Sequence, residues 1–483
     1  MQKESKGPYE KKLLLKLFLY LTHLFYKIMT ALRKIPGMRA IVDKIEPIFG
    51  TLVDKKISEL HYHGSKKHFH AGFGDIENTQ HLQMAVKTAM MDSSPESPLA
   101  KIETIVWEDN WHPASHTNNV QQRHGYFMTP LLSLSPETNP IAEKLLHPAS
   151  HKAHFKCIAP ISAIDYSDHN DVLTFGGLQP NTKTTVIMPA FGDQGFGHRS
   201  RMWANGLAEQ GIASVMLEQY SYGKRRLTKS HERVVVVDTV SNLVLKGTCT
   251  LAEGTALSRH LQALGFEHLC VSGMSMGGGV ALHIAGSLPF KVAAVGIVPC
   301  HRGSEVFTDK VLANACDYQA LTEHCGSTEQ AKERVNELLG EHDCRRYPAP
   351  RCPEALVILA ARDDAYIPVE SIDEIVEHWG LGNSSNHVRW IFGGHTSTML
   401  LHDNEIQCAT VDAFSILTAR KMSPTVEISE YSEEYFRHRQ AVIHRYRQIE
   451  NTPINSWAPS QAVEIVELSA VNSALDVKER ASP

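Results

Sequence analysis

An excess of charge of one sign is missing from this chain. Its 483 residues carry 48 Lys and Arg against 53 Asp and Glu, a formal charge of −5. Without a basic excess there is no electrostatic footprint for nucleic acid, and no such partner is expected. Paired cysteines are missing too. Nine cysteines are scattered with no Cys-x-x-Cys pair, and the odd count speaks against a disulfide framework and for a reducing compartment. There is no internal repeat, no metal motif and no nucleotide motif, so the chemistry sought is one that needs no cofactor or metal. What remains is length enough for one large α/β domain with additions, or for two domains, and 42% hydrophobic residues to build a core.

The most informative stretch runs from Leu269 to Ala285. A short apolar β-type run, Leu269-Cys-Val271, enters Gly273-Met-Ser-Met-Gly277, and a small-residue helix pattern leaves it. That is the layout of a nucleophile elbow, in which a serine sits on a tight strand-to-helix turn. Gly273 and Gly277 flank Ser275 because the turn leaves no room for bulk beside it. The emerging helix N-terminus brings backbone N–H groups and a partial positive charge to the hydroxyl. The Met276 N–H is therefore a natural half of an oxyanion hole.

A nucleophilic serine needs a base and an orienting acid, expected in the chain order Ser, acid, His. Leu356 to Ala361 is a buried strand pattern running into Arg362-Asp-Asp-Ala-Tyr-Ile-Pro368. An acid there points to the same rim of a parallel sheet as the elbow. Asp364 has the spacing of the triad acid, with Asp363 as the fallback. Trp390-Ile-Phe-Gly-Gly-His395 is a strand leading through two glycines to the base, His395. The second oxyanion donor is expected in the glycine-rich turn Pro189 to His198, from the Phe191 N–H, with Gly192 as the alternative.

Around these motifs the sequence shows the rhythm of a mostly parallel sheet. Antiparallel strands are expected at Lys101 to Trp107, Gly125 to Met128 and His154 to Ala159. Strands at Thr184 to Met188, Ile212 to Leu217, Val292 to Val298 and Val388 to Phe392 complete the set. Helices are expected over Met202 to Gln210 and Val240 to Leu264. A charged helical insertion at about 301–352 stands where a lid would cover the substrate.

The flanks differ. Residues 1–44 carry ten Lys and Arg against three acids. In a helix over Leu13 to Leu32, Lys12, Lys16, His23, Lys27 and Lys34 share one stripe of an otherwise apolar surface, and Pro36-Gly37 stops it. This pattern fits a helix lying in a membrane interface; a short spanning helix, a targeting segment or a helix packed on the domain are the competing readings. Residues 50–98 are poorly patterned: His61, His63, His68 and His70 are expected to be solvated, and Met91 to Pro98 an exposed linker. The expected division is a membrane-associating segment at 1–60, the catalytic domain at 100–420, and a helix with a tail at 421–483. In the last, Glu430 to Ile449 is expected to be a surface helix and Val463 to Leu468 an edge strand.

Together the motifs resemble the alpha/beta-hydrolase domain-containing protein 18 family, over roughly 125–417. The strings that carry the resemblance are Gly125-Tyr-Phe-Met-Thr-Pro130, Ala213-Ser-Val-Met-Leu-Glu218 with Tyr222-Gly223, Gly273-Met-Ser-Met-Gly-Gly278, Val306-Phe-Thr308, Asp364-Ala-Tyr-Ile-Pro368 and Gly393-Gly-His395. Alanine at 190 departs from the glycine of the family-like loop. The resemblance implies an alpha/beta-hydrolase fold, with Ser275 as nucleophile, Asp364 as acid and His395 as base. It also implies a mitochondrion-associated lipid acyl hydrolase, with cardiolipin-type phospholipids as suggested substrates. The expectation is a serine acyl-ester hydrolase whose partners are a membrane lipid substrate and a membrane surface. A non-catalytic membrane-bound scaffold and a transacylase are the alternatives, and the oligomeric state is left open.

Overall fold

Runs of apolar and β-branched residues that are buried on both faces lay down the centre of the fold. In β5 (Thr184–Met188), β6 (Ala213–Leu217), β7 (Leu269–Met274), β8 (Ala293–Ile297) and β9 (Leu356–Ala361) every residue is buried. Such runs read as continuous hydrophobic segments because helices cover both sides of a parallel sheet. The computed structural model describes residues 39–62, 66–114, 119–167, 174–226, 236–381 and 387–419, with scattered residues of 21–38.

Ten strands form one mixed sheet, in the order β1-β3-β4-β6-β5-β7-β8-β9-β10 with β2 beside β3. β1 (Ile105–Trp107), β2 (His112–Pro113), β3 (Val120–Met128) and β4 (Lys152–Pro160) pair antiparallel, and β4 pairs antiparallel with β6. From β6 through β5 and β7 to β10 (Val388–Ile391) all pairs are parallel. The expected fold class is therefore the observed one. β5 lies between β6 and β7, so the chain order reverses there. A crevice opens above the carboxyl ends of strands at such a switch point.

One face of the sheet presents Cys270, Val295, Ile297, Val357 and Leu359, alternate residues of their strands, to Trp203, Leu207 and Phe414. Phe414 belongs to helix Asp403–Ala419, and all of these residues are buried. Helices Val240–Ala263 and Met276–Ser287 also pack against the sheet and against each other. The expected insertion is helical, with Ser304–Thr308, Tyr318–Cys325 and Thr328–Gly340 as its α-helices. Phe307, Leu321 and Val335 of these helices form a buried cluster with Val240 and Leu243.

Three expectations for residues 50–98 are corrected. The segment is helical over Arg39–Tyr62 and Ile76–Met91. In the second helix Gln83 and Lys87 are buried, and the Lys87 ammonium lies 3.5 Å from Glu341, so no clean amphipathic stripe exists to be seen. His68 is fully buried, its Nδ1 accepting the Val237 N–H at 3.1 Å. Residues 91–98 are no free linker either. Arg259 reaches the Ala89 and Met90 carbonyls and the Ser97 hydroxyl, and fastens this turn to the domain.

Helix Arg39–Tyr62 packs against the sheet-bearing domain, so the expected boundary near residue 60 falls within a helix of that domain. Its other face exposes Ile41, Ile45, Ile48 and Leu52. Among the described residues no helix is long and apolar enough to cross a membrane. The cationic stripe from Lys12 to Lys34, the side chains of His61 and His63, and the expected helix and strand of 421–483 lie outside the described residues.

Candidate active site

β7 ends at Met274 and the next helix begins at Met276, which leaves Ser275 alone in the bend with φ +57° and ψ −125°. A non-glycine residue in that region is strained, and it persists only where its surroundings hold it. They do. The Ser275 N–H donates to the Ile297 carbonyl of β8 at 2.8 Å. A Cβ on Gly273 would lie 2.1 Å from the Gly277 carbonyl oxygen, and one on Gly277 would lie 2.7 Å from the Met188 carbonyl oxygen. Both glycines are therefore required by close approach.

The acid and the base reach the same rim. Asp364 follows β9, and its Oδ1 accepts the N–H groups of Tyr366 and Ile367, both at 2.8 Å. Its Oδ2 lies 2.7 Å from His395 Nδ1. His395 Nε2 lies 2.9 Å from Ser275 Oγ. Because a carboxylate can only accept, Nδ1 carries the imidazole proton and Nε2 is left to accept from the serine. The acid bonded to His395 Nδ1 is thus Asp364 rather than the fallback, Asp363, whose N–H donates to the Gly393 carbonyl and whose carbonyl accepts from the Thr51 hydroxyl.

Burial pulls the His395 imidazole down, but the charge and hydrogen bond of Asp364, with help from Asp54, outweigh it and hold its pKa above the ordinary value. A base must be neutral to take a proton. Activity is accordingly expected to fall as pH drops through this raised pKa. The acid limb of kcat/KM against pH should lie above the ~6.5 of a free imidazole. A limb clearly below that value would mean that His395 is not the titrating base.

Phe191 and Met276 both line the cavity at Ser275. Among the described residues neither N–H has a hydrogen-bond partner, as a candidate oxyanion donor requires. The same is true of the alternative, Gly192, which has φ +81°. Ala190 is accommodated, since its backbone is not in the left-handed region and its carbonyl accepts the Asp193 N–H at 3.2 Å.

The cavity holds about 420 Å³ and runs from Ser275 between Leu243, Leu251, Val280, Phe307 and Leu339. His283 and His342 also line it. Burial pushes them down to about 4 and about 3, so they stay neutral. The wall is mostly apolar, with Asp193, Gln194, His198, Arg199 and Thr396 among its other polar residues.

Two residues of the site carried no sequence signal. Buried Arg199 clamps the glycine-rich turn, donating to Asp193 Oδ2 (2.5 Å), the Ile187 carbonyl (3.1 Å) and the Gly195 carbonyl (3.1 Å). Asp54 accepts N–H groups from both triad loops. A lone arginine after a glycine-rich turn and a lone aspartate in an unpatterned helix look like any surface charge. Among the described residues one set could ligate a metal, Asp109 with His112 and His124. It lies on the β1–β3 edge, where the Asp109 carboxylate instead accepts the His124 N–H and faces its Nδ1, both at 2.6 Å.

Comparison with curated proteins gives no match. Among solved structures the chain is similar to an acetyl xylan esterase from Paenibacillus sp. R4, at 12% identity over 70% of this chain and 95% of that one, TM-score 0.43. It is also similar to acetyl xylan esterase 1 from Thermoanaerobacterium sp. JW/SL YS485, at 12% identity over 74% and 98%, TM-score 0.38. Residues 66–328 and 322–416, well over half of the sequence, match the family described as alpha/beta hydrolase domain containing 18, and the chain belongs to that family.

Proposed function

We propose that the protein is a serine acyl-ester hydrolase that draws its substrate from a membrane surface. The observation that carries the reading is the continuous hydrogen-bond chain Asp364–His395–Ser275, at 2.7 and 2.9 Å, opening into an apolar cavity of about 420 Å³. Ser275 Oγ attacks the ester carbonyl carbon while its proton passes to His395 Nε2. The developing oxyanion rests on the N–H groups of Phe191 and Met276. His395 then returns the proton to the leaving alkoxide oxygen, and the C–O bond breaks. Water repeats the sequence on the acyl-enzyme and releases the carboxylic acid. The insertion at 301–352 supplies Phe307 and Leu339 to the cavity wall, which is the role of a lid over an acyl chain.

The membrane part of the proposal rests on the exposed aliphatic residues Ile41, Ile45, Ile48 and Leu52, spaced along one face of helix Arg39–Tyr62, with Leu21, Leu24 and Ile28 before it. Such a stripe suits a lipid interface. A phospholipid, of which cardiolipin-type lipid is one candidate, brings both an acyl ester and that surface; a mitochondrial membrane is one setting for it.

Turnover of p-nitrophenyl esters of increasing acyl length in detergent tests the substrate class. Each buried CH₂ contributes about 0.8 kcal/mol, so kcat/KM should rise roughly fourfold per methylene until the cavity is filled. A profile that is flat, or highest for acetate, would exclude a lipid acyl chain. Lipid profiles of cells carrying wild type or Ser275→Ala then identify the head group.

A further inference from the structure

Asp54 is fully buried in helix Arg39–Tyr62, and its carboxylate is directed entirely at the loops that present the triad. Oδ2 accepts the N–H of His395 at 2.9 Å and that of Ala365 at 3.1 Å, while Oδ1 accepts the N–H of Thr396 at 2.8 Å. Ala365 follows the triad acid, and His395 is the base itself. The same carboxylate occupies the N-terminus of helix His395–Leu401, where free N–H groups and the helix dipole favour an anion. The contact is close-packed. A Cβ on Gly394 would lie 2.3 Å from Asp54 Oδ2, and one on Gly50 would lie 2.9 Å from Asp363 Cβ and 3.0 Å from the Gly394 nitrogen. The Tyr366 hydroxyl donates to the Asp54 carbonyl at 3.4 Å, and its ring lies 5.0 Å from the His395 ring.

We propose that Asp54 is a positioning residue of the hydrolase, which holds the backbone of His395 and of the turn beyond Asp364 in one register. This rests on the serine-hydrolase reading above. Helix Arg39–Tyr62 is then a working part of the active site, and the face opposite Asp54 is the aliphatic stripe offered to lipid. Three N–H donors converging on one carboxylate cannot be served by a neutral amide, which has a single acceptor oxygen. The carboxylate also acts on the base by charge. The groups facing it are Asp364, His395 and the Tyr366 hydroxyl, and among the described residues no lysine or arginine pairs with it. Burial and the neighbouring Asp364 raise the Asp54 pKa to about 6, and Asp54 in turn helps to hold His395 up.

The test is kcat, KM and the pH profile of the full chain on p-nitrophenyl butyrate, for wild type, Asp54→Asn, Ser275→Ala and, as control, Lys56→Ala in an exposed ion pair of the same helix. Loss of loop register at the base should lower kcat of Asp54→Asn roughly 10- to 100-fold with little change in KM. Removal of a negative charge beside the imidazole should move the acid limb to lower pH. Lys56→Ala should match wild type. If Asp54→Asn keeps the wild-type kcat and acid limb while Ser275→Ala is inactive, the proposal is overturned and the hydrolase reading stands. If Ser275→Ala is as active as wild type, the hydrolase reading falls and takes this one with it. Should Asp54→Asn fail to fold, Gly50→Ala decides, since its methyl wedges the helix from Gly394 without removing a charge. A lower kcat with little change in KM supports the proposal, and wild-type kcat overturns it.

Discussion

Ser275→Ala is expected to lower kcat by on the order of 10⁶-fold and to abolish labelling by an active-site fluorophosphonate. The loss is that large because, in the proposed mechanism, Oγ is both the atom that bonds the acyl carbon and the donor to His395 Nε2 at 2.9 Å. With it gone, no other hydroxyl among the described residues is bonded to His395 Nε2. The fold should survive. Alanine must take up the same φ of +57°, a strain that serine already bears, and the bend is held by the N–H to Ile297 and by the glycines around it. The change in unfolding free energy should therefore stay within about 1 kcal/mol. Equal labelling of variant and wild type would remove Ser275 from the chemistry.

Asp364→Asn is expected to cost about 10⁴-fold in kcat with an intact fold, as the same substitution does in a serine protease triad. The asparagine oxygen can still accept the N–H groups of Tyr366 and Ile367, which Oδ1 accepts now. Its amide NH₂ then faces His395 Nδ1, where a carboxylate oxygen lay at 2.7 Å. Only an acceptor can meet an NH₂, so Nδ1 loses its proton and Nε2 gains one. The imidazole then presents a donor to Ser275 and cannot serve as its base. Circular dichroism should show a native fold beside the loss of turnover. A variant within tenfold of wild type would assign the orienting role to another acid, first of all the preceding Asp363.

Much of the molecule is legible in its sequence, for reasons that differ from element to element. β5, β7, β8 and β9 stand out because burial on both faces leaves unbroken apolar runs. The elbow stands out because a strained bend with no room for a Cβ on either side leaves a glycine pattern. Helix Ile76–Met91 was hidden, since its polar Gln83 and Lys87 face inward to the partners His342 and Glu341. Helix Arg39–Tyr62 was hidden for the opposite reason. It buries Val42 and Val53 yet exposes Ile41, Ile45, Ile48 and Leu52, so apolar residues lie on both faces and no period emerges.

The order of the motifs along the chain by itself determined which serine, carboxylate and imidazole come together, and the parallel sheet that carries them. These are local matters, because each functional residue sits at the end of its own strand and is announced by its neighbours. Which groups hold that constellation in place was decided only in three dimensions. Asp54 meets His395 across 341 residues of chain, and Arg199 meets the turn before it through carbonyl groups that every residue possesses. A side chain bonded to backbone leaves no mark on its partner's identity, so such contacts become visible only once the chain has folded.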